Sequence, residues 1–230
     1  MTKEIPVITI DGLSGSGKGT ISKMLCQELG WNILDSGALY RTLTFMLEKN
    51  EFDLRDLVNS KEELLKEFQV TFGIDSLGEP VRVFLKGNDI TKLVRTEDIA
   101  EKTSTLSSLK EVREFIKPCQ RDFKQLPGLI ADGRDMGTVI FPEANLKFFL
   151  VASVEERAKR RQTQLKSLGS EVNMRVLLQE LTERDNKDMT RELSPLKPSA
   201  DALVIDTSNL KPNEVLQEVK NNLKFNIKGK

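Results

Sequence analysis

A glycine-rich segment near the N-terminus has the residue types that bind the phosphates of a nucleotide. It reads GLSGSGKGT and fits the pattern G-x-x-x-x-G-K, between an apolar β-branched run at 5–10 and a helical pattern that starts near Gly19. Glycines let successive backbone N–H groups turn toward one anion, and Lys18 adds a full positive charge. A glycine turn without a ligand would not need that lysine at the helix start. We therefore expect a nucleoside triphosphate to bind at Gly12, Leu13, Ser14, Gly15, Ser16, Gly17, Lys18, Gly19 and Thr20.

Mg²⁺ is the metal that such a triphosphate site implies. The residue after Lys18 is Gly19, where Ser or Thr usually contacts Mg²⁺, and the hydroxyl comes one place later at Thr20. Asp132 ends an apolar strand pattern as a metal-orienting aspartate does, although a plain Asp-Gly turn would also explain it. We expect Thr20 and Asp132 to act on Mg²⁺ through water, and we assign no direct ligand.

Arginines stand in several other segments, as phosphoryl transfer requires. The transition state spreads negative charge over the phosphoryl oxygens, so catalysis depends on positioning and on cations. Ser36 and Arg41 follow the second strand pattern, whereas Arg157 and Arg161 lie near the start of a charged helix pattern. Helix capping, solvated helix faces and ion pairs are the alternative readings of these groups. The groups expected to take part in transfer are Lys18, Asp132, Arg134, Arg157 and Arg161.

The composition excludes several classes of function. Lysine plus arginine equals aspartate plus glutamate at 35 each, so no net positive charge attracts nucleic acid or an anionic membrane. The absence of histidine removes the Ser-His-Asp triad, and the two isolated cysteines form no disulfide framework or zinc site. No apolar run has the length of a membrane span, and the N-terminus has no leader pattern. We expect a cytoplasmic monomer.

Apolar strand patterns alternate with amphipathic helix patterns along most of the chain. This order predicts an α/β fold of the P-loop kinase type, in which helices cover both faces of a parallel sheet. The run at 129–141 is predicted to be one buried strand region, and one helical stretch is predicted from Glu97 to about Lys124. Residues 61–100 break the rhythm and predict an inserted hairpin around Ser76–Glu79. We expect one domain over 1–230, with ligands at the carboxyl edge of the strands.

Four motifs, in order, resemble those of bacterial cytidylate kinases over essentially the whole chain. They are DGLSGSGKGT, LDSGALYR, LPGLIADGRDMGTVIFP and ERDNKDMTR. The first is shared by many kinases, whereas the second and third together are much more specific. The resemblance departs only at Leu13, where a proline is expected, and at Ser16, where alanine is common. It implies transfer of a phosphoryl group from ATP to CMP or dCMP.

The resemblance also implies roles for individual residues. The segment at about 61–100 would be the monophosphate-binding insert, and that at about 157–169 a short lid. Ser104, Arg113 and Asp135 would read cytosine, whose amino donor suits a carboxylate and whose acceptors suit a guanidinium. The acceptor phosphate would meet Arg41, Arg134 and Arg191, and the ribose would meet Arg184 and Asp188. Independently of the resemblance, the place of Ser36 and Arg41 at the start of a helix pattern after the second strand suggests that both could meet a second phosphate.

Two other readings remain. A UMP kinase, an AMP kinase or another small-molecule P-loop kinase would share the phosphate loop, and a substrate panel separates them. A nucleotide-dependent switch would share it too, but would need no arginines around a second phosphate. RNA binding is disfavoured by the zero net charge and by the presence of only one Trp and one Tyr.

Overall fold

Five parallel strands form the central sheet of the computed structural model. The structure describes residues 4–49, 52–75, 80–167 and 172–227. The strand order in the sheet is β2-β6-β1-β7-β8. The strands are β1 (Val7–Gly12), β2 (Asn32–Asp35), β6 (Leu129–Gly133), β7 (Leu146–Val151) and β8 (Leu203–Asp206). The sheet confirms the predicted α/β class, and β6 lies between β1 and β2 although it follows them by about a hundred residues.

Helices cover both faces of this sheet. Residues of β1 alternate between two apolar clusters: Val7 contributes to one, and Ile8 and Ile10 to the other. Strands with both faces covered are expected to be apolar throughout, as β1 is. The helices are α1 (Lys18–Leu29), α2 (Ser36–Glu48), α3 (Asp56–Asn59), α4 (Lys61–Glu67), α5 (Thr91–Val94), α6 (Glu97–Leu106), α7 (Lys110–Arg121), α8 (Val154–Ser167), α9 (Met174–Thr190) and α10 (Pro212–Ile227).

A separate antiparallel sheet lies within the segment predicted to be an insert. It consists of β3 (Val70–Gly73), β4 (Arg82–Leu85) and β5 (Asn88–Asp89), in that order. The predicted turn at 76–79 lies outside the described residues, as do residues 168 and 169 of the predicted lid. Assignment of these segments to an insert and a lid remains a prediction.

The structure corrects two sequence-based boundaries. The strand predicted through 129–141 ends at Gly133, and a short π-helix, Met136–Ile140, follows. The single helix predicted over 97–124 is two helices, because the chain turns at 107–109 between α6 and α7. No helix in the described part of the chain is long and apolar enough to cross a bilayer.

Candidate active site

The phosphate loop connects β1 to α1 through three glycines with positive φ. Gly12, Gly15 and Gly17 have φ values of 144°, 76° and 93°, which residues with a Cβ atom rarely adopt. A Cβ atom at Gly12 would overlap the carbonyl oxygen of Leu150 in the neighbouring strand. Lys18 begins the helix, and its Nζ donates a hydrogen bond to the carbonyl oxygen of Leu13 at 2.7 Å. The chain therefore curls back on itself at the carboxyl edge of the sheet.

Three neighbouring strands each carry an aspartate at or next to their carboxyl end, beside this loop. Asp132 of β6 and Asp35 of β2 are paired in register, and Asp11 of β1 is opposite Gly133. Burial raises the pKa of Asp132 and lowers the pKa of Lys18, and each group's charge partly offsets the effect on the other. The charges of these two groups therefore act on each other at the sheet edge beside the loop.

Asp11 connects the phosphate-loop strand to the turn after β6. Its carboxylate accepts hydrogen bonds from the backbone N–H groups of Met136 and Gly137, at 2.8 and 2.7 Å. The side chain is buried, and burial raises its pKa to about 7 although both hydrogen bonds favour the charged form. These bonds hold the start of the π-helix, and Asp135 directly precedes it.

The residues expected to read cytosine form one group. The guanidinium of Arg113 pairs with the carboxylate of Asp135 and donates a second bond to the carbonyl oxygen of Ser107 at 3.1 Å. It also lies over the ring of Tyr40, 5.9 Å from its centre. Only 10% of the Arg113 side chain and 4% of the Asp135 side chain are exposed. Such a buried pair presents donors and an acceptor in fixed positions.

Four more charged residues face this pair across the same cavity. Arg134 Nε donates to Asp188 Oδ2 at 3.0 Å, and Arg191 Nη1 lies 3.7 Å from the other Asp188 oxygen. Burial opposes ionisation of Asp188, but Arg134 and Arg191 hold its pKa below the usual value. Burial, with the nearby charge of Arg134, lowers the pKa of Arg184. Cations outnumber acids here, which favours an anionic ligand.

The same excess of positive charge surrounds Arg41. Burial, together with the charges of Arg184 and Arg95, lowers the pKa of Arg41 to about 10. Its Nη1 donates a hydrogen bond to the carbonyl oxygen of Val94 at 3.2 Å. Ser36 is the first residue of α2, and its Oγ accepts a bond from Gln120 Nε2 at 2.8 Å. A bound anion would relieve the repulsion among these guanidinium groups.

A cavity of about 230 Å³ joins the phosphate loop to this charged group. Most of the residues expected to bind nucleotides line it, although their individual roles remain predictions. From the phosphate loop they are Ser14, Gly15 and Lys18. The others are Ser36, Arg41, Ser104, Arg113, Asp132, Arg134, Asp135, Arg184, Asp188 and Arg191.

Arg157, Arg161 and Thr20 lie outside the lining of this cavity. Arg157 is buried, and its guanidinium is bonded to three protein acceptors, which does not fit a direct contact with the transferred phosphoryl group. Arg161 pairs with Glu97 of α6, and Thr20 is exposed on the first turn of α1. Arg161 would have to leave Glu97 in order to reach a phosphate.

Sequence reasoning missed Arg95. It lines the cavity and donates from Nη2 to Asp35 Oδ2 at 3.1 Å and to the carbonyl oxygen of Val81 at 2.9 Å. Within the described residues, Arg95 Nε and Arg191 Nη2 are buried donors without a hydrogen-bond partner. Buried donors of this kind require an explanation, and an acceptor phosphate in the cavity would satisfy them. Arg95 could have been identified from the sequence because it lies inside the predicted insert at 61–100.

The residues at the sheet edge fit a Mg²⁺ ion that arrives with a nucleotide. Among the described residues, no group of three or more acidic, histidine or cysteine side chains could hold a metal alone. Asp132 and Asp35 end adjacent strands, and Asp132 lies beside Gly19 at the helix start. Mg²⁺ in nucleotide sites usually needs only one or two carboxylates, because water and phosphate oxygens complete the octahedron. Asp132 meets this need, and the exposed Thr20 hydroxyl is a second candidate.

Comparisons with known proteins match nearly the full length of the chain. A family model described as cytidylate kinase matches residues 8–224. A protein named cytidylate kinase from Pseudomonas entomophila is 48% identical over 227 residues, which are 97% of each chain. One of the same name from Shewanella denitrificans is 46% identical over 99% of this chain and 100% of its own. A solved structure of a putative kinase from Chloroflexus aurantiacus covers 98% of this chain and all of its own, at 13% identity and a TM-score of 0.47.

Proposed function

This chain belongs to the cytidylate kinase family, and from that premise we propose that it transfers the γ-phosphoryl group of ATP to CMP or dCMP, giving ADP and CDP or dCDP. The observation that carries the proposal is one cavity lined both by the phosphate loop and by the buried pair of Arg113 and Asp135. The loop would hold the donor and the pair would hold the acceptor base. Both substrates then meet at Lys18.

The acceptor phosphate would bind among the guanidinium groups of the cavity. Arg41, Arg134 and Arg191 are the proposed ligands, Arg95 joins them, and Ser36 lies beside them. The unpartnered donors of Arg95 and Arg191 support this assignment. A monophosphate is already ionised at pH 7, so its oxygen can attack without a strong general base.

Cytosine would be recognised by Asp135, Arg113 and Ser104. The second carboxylate oxygen of Asp135 would accept from the amino group, and the Arg113 guanidinium would donate to O2 and N3. Uracil presents an oxygen where cytosine presents the amino group, so it would leave a buried carboxylate unpaired. Arg184 and Asp188 would contact the ribose, since they lie on the α9 side of the cavity.

Lys18 would balance the charge that develops on the transferred phosphoryl group. It would exchange its hydrogen bond to the Leu13 carbonyl for phosphate oxygens when ATP binds. Arg134 lies on the same cavity wall and would add a second charge, and Arg161 a third after leaving Glu97. Asp132 would hold Mg²⁺ through water, and the metal would supply positive charge that offsets the charge of the phosphates.

A substrate panel tests this function. Purified protein with ATP and Mg²⁺ should release ADP with CMP and with dCMP, but not appreciably with UMP or AMP. Preference for UMP or AMP would favour the alternative of another monophosphate kinase and discard the assignment of Asp135. No turnover with any of the four would favour a nucleotide-binding module.

Two further expectations from the sequence stay proposals. The first is a cytoplasmic location, which cell fractionation tests. The second is a monomeric state, for which light scattering should give a mass near 26.0 kDa.

A further inference from the structure

The phosphate loop is held from outside by side chains of distant elements. The carbonyl oxygen of Ser14 accepts a hydrogen bond from Arg157 Nη1 at 3.1 Å. The carbonyl oxygen of Ser16 accepts one from Thr207 Oγ1 at 3.0 Å. Thr207 follows β8, and Arg157 lies in the first turn of α8. We refer to Arg157 and Thr207 as the carbonyl clamp.

Each of the three guanidinium nitrogens of Arg157 has a partner in the protein. Its Nε donates to the carbonyl oxygen of Ala152 at 3.0 Å, and its Nη2 lies 2.6 Å from Asp185 Oδ2. Only 4% of its side chain and 8% of that of Asp185 are exposed. A Cβ atom at Gly15 would lie 3.3 Å from the Arg157 Cβ, so the loop packs directly against this side chain. Arg157 therefore both packs against the phosphate loop and hydrogen-bonds to it.

Thr207 is held just as firmly. It is buried, its backbone N–H donates to the carbonyl oxygen of Val151 at 2.8 Å, and its Oγ1 accepts from Arg160 Nη1 at 3.1 Å. Arg160 Nη2 also donates to the Thr207 carbonyl oxygen. The arginine thus occupies the acceptor side of the hydroxyl, and the hydroxyl proton points toward two carbonyl oxygens, that of Ser16 at 3.0 Å and that of Val151 at 3.2 Å.

Holding a carbonyl determines where the next N–H points. In a planar trans peptide the C=O and the following N–H are antiparallel. A hydrogen bond that holds the Ser14 oxygen on the α8 side therefore turns the N–H of Gly15 to the opposite side, and Gly15 lines the cavity. The bond to the Ser16 oxygen likewise fixes the plane of the peptide between Ser16 and Gly17, and with it the direction of the Gly17 N–H. Glycine peptides flip easily, so this constraint is needed before phosphate binds.

We infer that Arg157 and Thr207 are positioning residues that hold the phosphate loop in the conformation that binds the β-phosphate, and that Asp185 acts on the loop through Arg157. This inference rests on the proposal that the loop binds ATP. It replaces the sequence-based expectation that Arg157 touches the transferred phosphoryl group. Asp185 lies between Arg184 and Asp188 on α9, so the loop is also tied to the helix that lines the acceptor side.

Thr207→Val and Thr207→Ser form the matched pair that tests the clamp. Valine has the shape of threonine but no hydroxyl, whereas serine keeps the hydroxyl. Calorimetric titration with MgADP should show about tenfold weaker binding for Thr207→Val, because the Ser16 oxygen loses its donor. Thr207→Ser should bind within about twofold of wild type, and CMP affinity should be unchanged in both.

Arg157→Lys and Asp185→Ala separate positioning from direct phosphate binding. If Arg157 were a phosphate ligand, removing Asp185 would free it, and MgADP binding would stay equal or become tighter. A positioning role predicts instead that both variants weaken MgADP binding by about tenfold, because a single ammonium cannot replace three directed bonds. Asp201→Ala is the control, since Asp201 pairs with Lys147, outside the clamp and the cavity lining. Thermal unfolding confirms that each variant is folded at the titration temperature.

The possible outcomes distinguish the clamp from the proposed function. Selective loss of MgADP affinity in Thr207→Val, with rescue by serine, supports the clamp. Wild-type MgADP affinity in both Thr207→Val and Arg157→Lys overturns it while leaving the kinase proposal intact, and so does an equal loss of ADP and CMP affinity. If Thr207→Val does not fold, Arg157→Lys is judged by the same ADP and CMP comparison. A wild-type protein that does not bind MgADP overturns the proposed function itself.

Discussion

At the scale of single residues, the proposed recognition of cytosine depends on one carboxylate. Asp135 is buried and paired with Arg113, which leaves one carboxylate oxygen for a ligand. A site that requires a hydrogen bond rejects a partner that lacks it far more strongly than an apolar site does. Discrimination between CMP and UMP should therefore depend on the charge of this group.

Asp135→Asn should lower kcat/KM for CMP by about 100-fold or more, because the amide presents a donor to the cytosine amino group. The substitution should also lower the ratio of kcat/KM for CMP to kcat/KM for UMP. MgADP affinity should stay within about twofold of wild type, since Asp135 is proposed to contact only the acceptor. Steady-state kinetics with both monophosphates and calorimetry with MgADP measure these effects. Equal losses for donor and acceptor would place Asp135 outside base recognition.

Asp11 should make the stability of the fold depend on pH. Its native pKa is about 7, against an ordinary value of 3.8 in the unfolded chain. Between about pH 4 and 7 the native state keeps a proton that the unfolded state has lost, so its contribution to the free energy of unfolding falls as pH rises. This contribution is at most about 4 kcal/mol.

Asp11→Asn removes the titrating group and should flatten this dependence. Denaturant unfolding from pH 4 to 7 measures the free energy of unfolding of the wild type and of the variant. Burial also raises the pKa of Asp132, but Asp132 is present in both proteins, so its contribution cancels when the two free energies are subtracted. Parallel curves for the two proteins would show that Asp11 is already ionised at pH 4 in the native state. Asn can accept from only one of the two backbone N–H groups, so the variant should also be less stable overall.

At the scale of elements, α9 must be correctly placed because it carries Arg184 and Asp188 near its end. It begins at a cap in which Asn173 Oδ1 accepts from the N–H of Arg175 at 2.8 Å. The cap and Arg184 are eleven residues apart, which is about 16 Å along the helix. Stability at the start of the helix and binding near its end should therefore respond separately to mutation.

Asn173→Ala should lower the free energy of unfolding by about 1 kcal/mol, because the first turn loses its side-chain acceptor. Asn173→Asp should restore it, since aspartate caps equally well and favours the positive end of the helix dipole. CMP affinity should be unchanged in both variants. A fall in CMP affinity with Asn173→Ala would mean that loss of the cap disturbs α9 as far as Arg184 and Asp188.

The sequence pattern identified most elements correctly but misread the segment after β6. Residues 136–141 are apolar and partly β-branched, which is typical of a strand. Residues 136–140 form a π-helix instead, and the Asp11 carboxylate accepts hydrogen bonds from its first two N–H groups. These bonds join residues 125 and 126 positions apart, and local periodicity carries no information about them.

At the scale of the whole molecule, a contact between α8 and α6 joins the donor side to the acceptor side. Arg161 pairs with Glu97, and both side chains are partly exposed. An exposed ion pair contributes little to stability, but this one holds a cation that is proposed to meet ATP. Glu97 and the γ-phosphate would then compete for the same guanidinium.

Glu97→Gln should tighten binding of a non-hydrolysable ATP analogue by about two- to fivefold, because it removes this competitor. MgADP, which lacks the γ-phosphate, should respond less. Titrations with both nucleotides measure the difference, and Glu114→Gln, which breaks an exposed pair within α7, is the control. Weaker binding of the analogue would mean that Glu97 instead orients Arg161 for ATP.

The sequence by itself determined the phosphate loop, the alternation of strands and helices, and the edge of the sheet where ligands are expected to bind. These features follow from local spacing, since glycines, apolar periods and strand ends act within a few residues of one another. The resemblance added roles for most of the residues proposed to bind the acceptor, and these residues line one cavity.

Only the tertiary structure decided which charged groups are available to a ligand and which are already bonded. Arg157 and Arg161 look alike in the sequence, yet one is buried against Ser14 and Asp185 and the other reaches Glu97. Arg95 became a candidate only when the fold placed it beside Asp35. The physical reason is that the availability of a charged side chain depends on burial and on partners brought together from distant parts of the chain.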